Sequence, residues 1–448
     1  MTTSLLAATL IAALGGLLFG FDTAVISGTT DWLTRVYTLS AFGLGFTVAS
    51  ALIGTILGAL GAGKPADAMG RRLTLFVIAI LYFVSAVGTA LAWDWYSFLI
   101  FRFIGGLGVG GASVVSPMYI AEISPARLRG RLVAVTQFNI VLGILLAFFS
   151  NYVIKEMNLG PVEWRWMFGV EAVPAAAFFF LLYLTPESPR WLVAHRRSGE
   201  ARNVLARMGT DTGNVEQEVG EIQKSLDLDH HTLREPLFQR AYRKPVLLAI
   251  AIAMFNQLSG INAVLYYAPH ILKLTGAGED TAFLQAVAIG GTNLVFTMAA
   301  LAVIDHFGRR TLMLAGSIGY ILSLGMTAVT FYKYAGNFNA SGGTLVLIGL
   351  LVFIASHAFG QGAVIWVFIS EIFPNRVRAR GQALGSFTHW IMAALISWTF
   401  PMMAELSGGH VFAFYTVMMV LQLFWVLFVM PETKGIPLEQ IQKRLGIQ

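Results

Sequence analysis

Three residues set the chemistry that is available. Asp22, Arg102 and Glu171 stand inside long apolar runs: FGFDTAV around Asp22, FLIFRFIGG around Arg102 and FGVEAVP around Glu171. A charge at bilayer depth costs roughly 2.5–3.5 kcal/mol or more unless it is paired or hydrated, so such residues are functional candidates by default. A carboxylate beside an arginine forms a pair that protonation releases. That is a two-state element which a proton can bias. The other reading is a static ion pair that holds helices together. No Asp, Glu, Lys or Arg lies at comparable depth in the last six apolar stretches.

A second set is uncharged. Gln137, Asn256, Gln257, Asn262, Asn293 and His389 stand at mid-stretch, with Tyr266, Tyr267, Trp366 and Trp390 close by and Phe19 one turn from Asp22. Amides donate and accept, and aromatic rings cover apolar C–H faces, which is what a polyhydroxylated solute such as a sugar requires. For a single amide, hydrogen bonding between helices is the better reading. It fits poorly where three amides cluster around Ser259-Gly260. That pair invites a helix break, and irregular backbone at membrane depth suits a cavity wall. Gly360-Gln361-Gly362, just before Trp366, is a similar weak point, and both are read as gating segments. His389 and His357 are read first as satisfied polar residues. The glycines of GGLGVGG (105–111) suit close helix packing rather than phosphate binding.

The elements that must position these residues are membrane helices. Of 448 residues, 56% are hydrophobic and 12% charged, against about 25% charged in a soluble domain. A spanning helix needs roughly 20 mostly apolar residues. Twelve stretches qualify: 5–27, 40–61, 73–92, 96–119, 132–153 and 166–185, then 246–269, 282–304, 311–332, 343–369, 382–404 and 410–430. The first lacks a basic n-region and is expected to stay as a membrane helix. Residues 186–244 differ, with 10 Lys/Arg and 9 Asp/Glu, and Ser198–Met208 and Val215–Leu228 read as surface helices. Loops on the side of this linker hold 24 of the 30 basic residues and the opposite loops five. The asymmetry puts the linker and both termini in the cytoplasm. There is no cysteine, no HExxH, no P-loop and no GxSxG, so no enzyme, cofactor, metal or nucleic-acid role is expected.

The two sets of six repeat each other. Asp67-Ala-Met-Gly-Arg71-Arg recurs as Asp305-His-Phe-Gly-Arg309-Arg, and Glu122 to Arg129 recurs as Glu371 to Arg378. Glu187 to Arg190 has a weaker echo in Pro431-Glu-Thr-Lys434. The reading is an all-α integral membrane protein with bundles at 1–185 and 245–430, a helical linker at 186–244 and a tail at 431–448. A two-bundle plan of this kind belongs to transporters. The charges at these helix ends are either topology signals or interhelical ion pairs.

The runs GGLLFGFDTAVISG, GKPADAMGRR, PMYIAEISPARLRGRL, PESPRWL, NQLSGINAVLYYAP, WVFISEIFPNRVRARG and PETKG together resemble the sugar porter family of the major facilitator superfamily. The resemblance implies alternating access around a central sugar site, with contacts from Gln137, Gln257, Asn262, Asn293 and Trp366. It implies that Asp67, Arg71, Glu122, Arg129, Glu187, Arg190, Asp305, Arg309, Glu371 and Arg378 form a cytoplasmic gate network. Proton-coupled members carry Asp, Arg and Glu at the places of Asp22, Arg102 and Glu171. Passive facilitators typically carry a neutral residue at the Asp position. Asn256 stands where many members have a second Gln, and His389 where Asn or Gln is usual. A proton-coupled hexose or pentose symporter follows, working as a monomer in a bacterial inner membrane with sugar, proton and lipid as its partners. A uniporter and a non-transporting sensor are the alternatives.

Overall fold

The computed structural model of the chain describes residues 2–209, 214–232, 236–304, 306–335, 337–374, 376–436, 438–445 and 447. Among these, eleven helical stretches are long and apolar enough to cross a membrane. The first six are Thr3–Gly28, Ala41–Gly61, Arg71–Ala90, Trp95–Ile123, Ala126–Glu156 and Gly160–Leu184. The others are Arg240–Lys273, Glu279–Val303, Arg309–Lys333, Ala340–Ile372 and Gly408–Phe428. Arg378–Leu406, a 29-residue helix, is long enough but more polar, because Thr388, His389, Ser397 and Thr399 interrupt it. It is the eleventh span and Gly408–Phe428 the twelfth. All twelve stand within a few residues of the expected stretches. Apolar runs of this length become helices because only a helix satisfies every backbone group inside one lipid-exposed segment.

Local signals set several starts. Asp94 accepts from Ser97 N at 2.7 Å in a capping box that opens the fourth span, and Asn339 accepts from Gly342 N at 2.8 Å at the start of the tenth. The glycines at 105–111 do serve packing, since a Cβ on Gly110 would run into the Thr55 carbonyl.

Both expected weak points are broken. The seventh span stops at Leu258, turns through Gly260 at φ +84° and resumes as Ile261–Lys273. The second segment is kinked again at Tyr267, two residues before Pro269. The tenth divides at Gly360 into Ala340–Phe359 and Gln361–Ile372.

Packing divides the chain into two units. The first comprises Met1–Thr23, Ile53–Ala147 and Arg165–Arg234. Its linker holds helices at Pro189–Ala194, Ser198–Met208 and Val215–Thr232. The last of these runs beyond the expected end at Leu228, and the short one after Ser188 was not anticipated. Ala201, Val204, Leu205 and Met208 bury the apolar stripe of Ser198–Met208 against the first unit's core. The second unit comprises Ala24–Leu52, Phe148–Trp164 and Glu235–Gln448. Within it Trp398 packs on Phe42 and Phe46 at 5.3 and 5.1 Å between ring centres, and Asn151 Nδ2 donates to the Val25 carbonyl at 2.9 Å. The stretch expected as a tail contains a helix, Leu438–Leu445, whose Ile441 and Leu445 join the second unit's core.

Gly260 and Gly276 both have positive φ, but only Gly260 is crowded, with the Tyr415 ring in the way of a Cβ. Gly276→Ala is expected to lower stability by about 1 kcal/mol from backbone strain alone. Gly260→Ala is expected to lower it clearly further. Melting temperatures of the two variants in detergent check this, and equal shifts would mean that the Tyr415 contact is not limiting.

Candidate functional site

In the first unit, close packing of spans one and five fixes the height of Asp22. A Cβ on Gly20 would collide with the Ile140 carbonyl, and one on Gly143 with the Leu17 carbonyl. Arg102 comes from the fourth span, where Gly105 leaves room: a Cβ there would lie 3.4 Å from Asp22 Oδ1 and strike Ser85 Oγ. Arg102 Nη1 donates to Asp22 Oδ1, and Nη2 donates to the Asp22 backbone carbonyl at 3.3 Å. The guanidinium lies over the Phe168 ring, 5.4 Å from its centre. Asp22 and Arg102 are each 2% exposed and Glu171 1%. Glu171 lies between the two helical segments of the sixth span, within electrostatic reach of Asp22 and Arg102. Arg102 Nε and Glu171 Oε1 are both buried without a hydrogen-bond partner among the described residues. A spare donor and a spare acceptor in one sealed region call for an explanation. Of the expected trio, Asp22 and Arg102 are paired, and Glu171 Oε1 is buried in the same unit without a partner among the described residues. Phe19 and Gln137 belong to the same unit and are half-buried.

The second unit carries a polar face in an apolar bundle. Asn256, Gln257, Asn262, Tyr266, Asn293 and Trp390 are buried, and Trp366 is 39% exposed. His389 stands between two indoles, 5.2 Å from Trp366 and 4.9 Å from Trp390 between ring centres. Gln257 Nε2 donates to Asn256 Oδ1 at 2.9 Å and lies 3.3 Å from His389 Nε2. Gln257 Oε1 is buried with no partner among the described residues. Thr297 donates to Asn293 Oδ1 at 3.3 Å. His357 is paired with the Tyr320 hydroxyl at 2.7 Å, as the satisfied-histidine reading expects. Tyr267 is tied up structurally, donating to the Ser397 carbonyl at 3.0 Å and stacking on Phe400.

The linker-side charges form two networks of the same design. In the first unit Arg71 grips Glu122 with two hydrogen bonds, 2.8 and 2.9 Å, and pairs with Asp67 at 3.1 Å. Ser188 donates to Glu122, while Glu187 accepts from the backbone N–H groups of Arg71 and Ser188 at 2.9 and 2.8 Å. In the second unit Arg309 donates to Glu371 at 2.9 Å, Thr433 donates to Glu371 at 2.6 Å, and Glu432 accepts from Arg309 N at 2.9 Å. The weaker sequence echo, Glu187-Ser188 against Glu432-Thr433, is thus the third corner of each network. Arg129 donates to the Ala121 carbonyl rather than to a carboxylate. Arg190 sits at the start of the helix Pro189–Ala194. Arg378 keeps Nε and Nη2 buried without a hydrogen-bond partner among the described residues. Asp305 lies outside the described residues.

A third cluster, on the opposite side, was visible in the sequence only as scattered loop charges. Asp31 accepts from His270 at 3.0 Å and Lys273 at 2.8 Å. Lys273 also reaches Glu279 at 2.8 Å, and Lys155 reaches Glu279 at 3.6 Å and Asp280 at 3.9 Å. Burial alone would raise the Asp31 carboxyl, but the hydrogen bonds and charges of His270 and Lys273 prevail and hold it well below the ordinary carboxylate range. Gln361, expected only as part of a weak point, and Gln422 join Asn256 to Ser317. Part of the signal was there: Gln422 is the one amide in the twelfth span.

Comparison with known proteins fits this geometry. The family described as "Sugar (and other) transporter" matches residues 8–445. The chain is 39% identical to the D-xylose-proton symporter of Escherichia coli (strain K12), covering 97% of this chain and 94% of that protein. It is 36% identical to the arabinose-proton symporter of Bacillus subtilis (strain 168), covering 96% and 93%. The structure of the major facilitator superfamily proton:xylose symporter XylE bound to 6-bromo-6-deoxy-D-glucose superposes with a TM-score of 0.80 at 38% identity, covering 99% of both chains. The twelve-span architecture is accordingly the major facilitator fold of a multi-pass membrane protein.

The Asp31 carboxyl is depressed on folding, so its contribution is complete above the ordinary carboxylate value and fades as pH falls through the lower folded value. Asp31→Asn is expected to lower stability by about 1–2 kcal/mol at neutral pH. The gap from the parent should close only below about pH 4. Melting curves of both proteins across acidic and neutral pH check this, and a gap that stays constant into strong acid would contradict it.

Proposed function

The chain belongs to the sugar transporter family, and on that premise we propose that this transporter carries a monosaccharide, hexose or pentose, inward together with a proton. The observation that carries the proposal is the sealed Asp22–Arg102 pair, with Glu171 Oε1 buried and spare in the same unit. The names of the xylose-proton and arabinose-proton relatives support proton coupling and a small sugar.

With Asp22 ionised, it neutralises Arg102 and ties the first span to the fourth. A proton on the Asp22 carboxyl removes that neutralisation. Arg102 then needs another acceptor, and Glu171 supplies one. With both carboxyls ionised the trio is net −1 and one proton makes it neutral; Arg102 keeps a carboxylate partner throughout, and a low-dielectric site would penalise leaving it unpaired by several kcal/mol. A proton thereby biases a two-state element. One charge falling through 100 mV releases ~2.3 kcal/mol, which at 1.36 kcal/mol per decade is roughly a 50-fold sugar gradient.

In this reading the sugar is held by the amides and aromatic residues of the second unit. Gln257 and Asn256 supply hydrogen bonds, and Trp366, His389 and Trp390 cover the C–H faces. The breaks at Ser259-Gly260 and Gly360 are the bending points of alternating access. The two linker-side networks stiffen their own helix ends and serve as the gate on that side. The excess of Lys and Arg there supports a cytoplasmic position for it and for both termini. The protein is read as a monomer in the inner membrane.

The test is Asp22→Asn in proteoliposomes under an imposed pH gradient. Sugar accumulation is expected to be lost while sugar–sugar exchange survives within about tenfold of the parent. Undiminished accumulation would remove Asp22 from the proton role. Loss of exchange along with accumulation would favour a structural ion pair.

A further inference from the structure

The buried amides of the second unit form one directed chain. Ser317 Oγ donates to the Met313 carbonyl at 2.7 Å, so it receives rather than gives toward Gln422, whose Nε2 donates to it at 2.9 Å. Gln422 Oε1 accepts from Gln361 Nε2 at 2.6 Å, and Gln361 Oε1 accepts from Asn256 Nδ2 at 3.5 Å. Asn256 Oδ1 accepts from Gln257 Nε2 at 2.9 Å. Each N–H donates toward the ninth span and each carbonyl points the other way. Ser317, Gln361 and Gln422 are 0% exposed, so water cannot substitute for a missing partner. The end product of this polarity is Gln257 Oε1, a buried acceptor with no partner among the described residues. A reversed chain would present an amide N–H there instead.

We propose that Gln361 and Gln422 are positioning residues for sugar recognition, fixing the sense of the chain so that Gln257 meets the solute as a hydrogen-bond acceptor. The group it faces is then a hydroxyl that donates. Replacing that hydroxyl by hydrogen leaves the acceptor unpaired, and so does fluorine, which cannot donate. A site with a buried acceptor rejects such analogues more strongly than an apolar pocket rejects a missing methylene. The chain also explains where Gln361 sits. It is the first residue after the break at Gly360, and through Asn256 it reaches the break at Ser259-Gly260. The loosest link, at 3.5 Å, is the one that joins the two broken spans.

The inference rests on the reading that these amides contact a monosaccharide, and the test separates the two. Uptake of D-xylose and D-glucose, and competition by their single deoxy and deoxyfluoro analogues, are measured in proteoliposomes for the parent, Gln422→Met and Ser317→Ala. Gln422→Met keeps the volume and removes the link; Ser317→Ala removes only the anchor and is the gentler change. In the parent, at least one position should lose about tenfold in affinity with both deoxy and fluoro analogues. In both variants KM for the parent sugar should rise about tenfold with kcat within about twofold, and the penalty at that position should shrink severalfold. A parent that takes up neither sugar refutes the underlying reading. A working parent whose variants keep its KM and its analogue profile overturns the inference alone. So does a fall in kcat with the profile unchanged, because a merely structural role gives that pattern.

Discussion

In hydrocarbon, a polar group that finds no partner within the protein has none, and this constraint organises the whole molecule. It is most severe at Arg102, a permanently charged side chain that is 2% exposed. Asp22 must lie against it, and the glycines at 20, 105 and 143 let the helices come close enough for that. The same constraint turns Glu171 from an anomaly into a partner in waiting. Burying charge here gains little stability by itself. In the proposed reading it gains a pairing that a proton can rewrite.

The constraint operates differently in the two units. The first unit meets it with one ion pair and a reserve carboxyl. The second uses a chain of amides, each satisfied by the next until the last acceptor at Gln257. In the proposed reading this division separates a charged site for a proton from neutral donors and acceptors for a sugar. At the linker-side helix ends, where water is near, the two units revert to one shared design. Arg71, Glu122 and Ser188 repeat as Arg309, Glu371 and Thr433.

The sequence displayed the spans well, because hydropathy reports directly on the solvent a helix faces, and the eleventh was found despite the polar residues that weaken its signal. The breaks at Gly260 and Gly360 were legible because glycine next to polar residues is a local feature. Asp22, Arg102 and Glu171 stood out for the same reason, as charges in apolar runs. What could not be read was pairing across distant segments. Gln422 was visible as a lone amide, yet its partner Gln361 is 61 positions away and no periodicity links them. Asp31, His270, Lys273 and Glu279 look like ordinary loop charges until the fold gathers them. Ser188 and Thr433 have no distinctive sequence signal, because a hydroxyl becomes a carboxylate ligand only through its position.

The central claim is that sugar and proton cross together. It is tested most directly by adding sugar alone, with no imposed gradient, to right-side-out vesicles in a lightly buffered medium and recording external pH. The account predicts that the medium turns alkaline as sugar enters, and that Asp22→Asn abolishes this response. Sugar entry at the parent rate with no change in external pH would contradict it and leave a passive carrier.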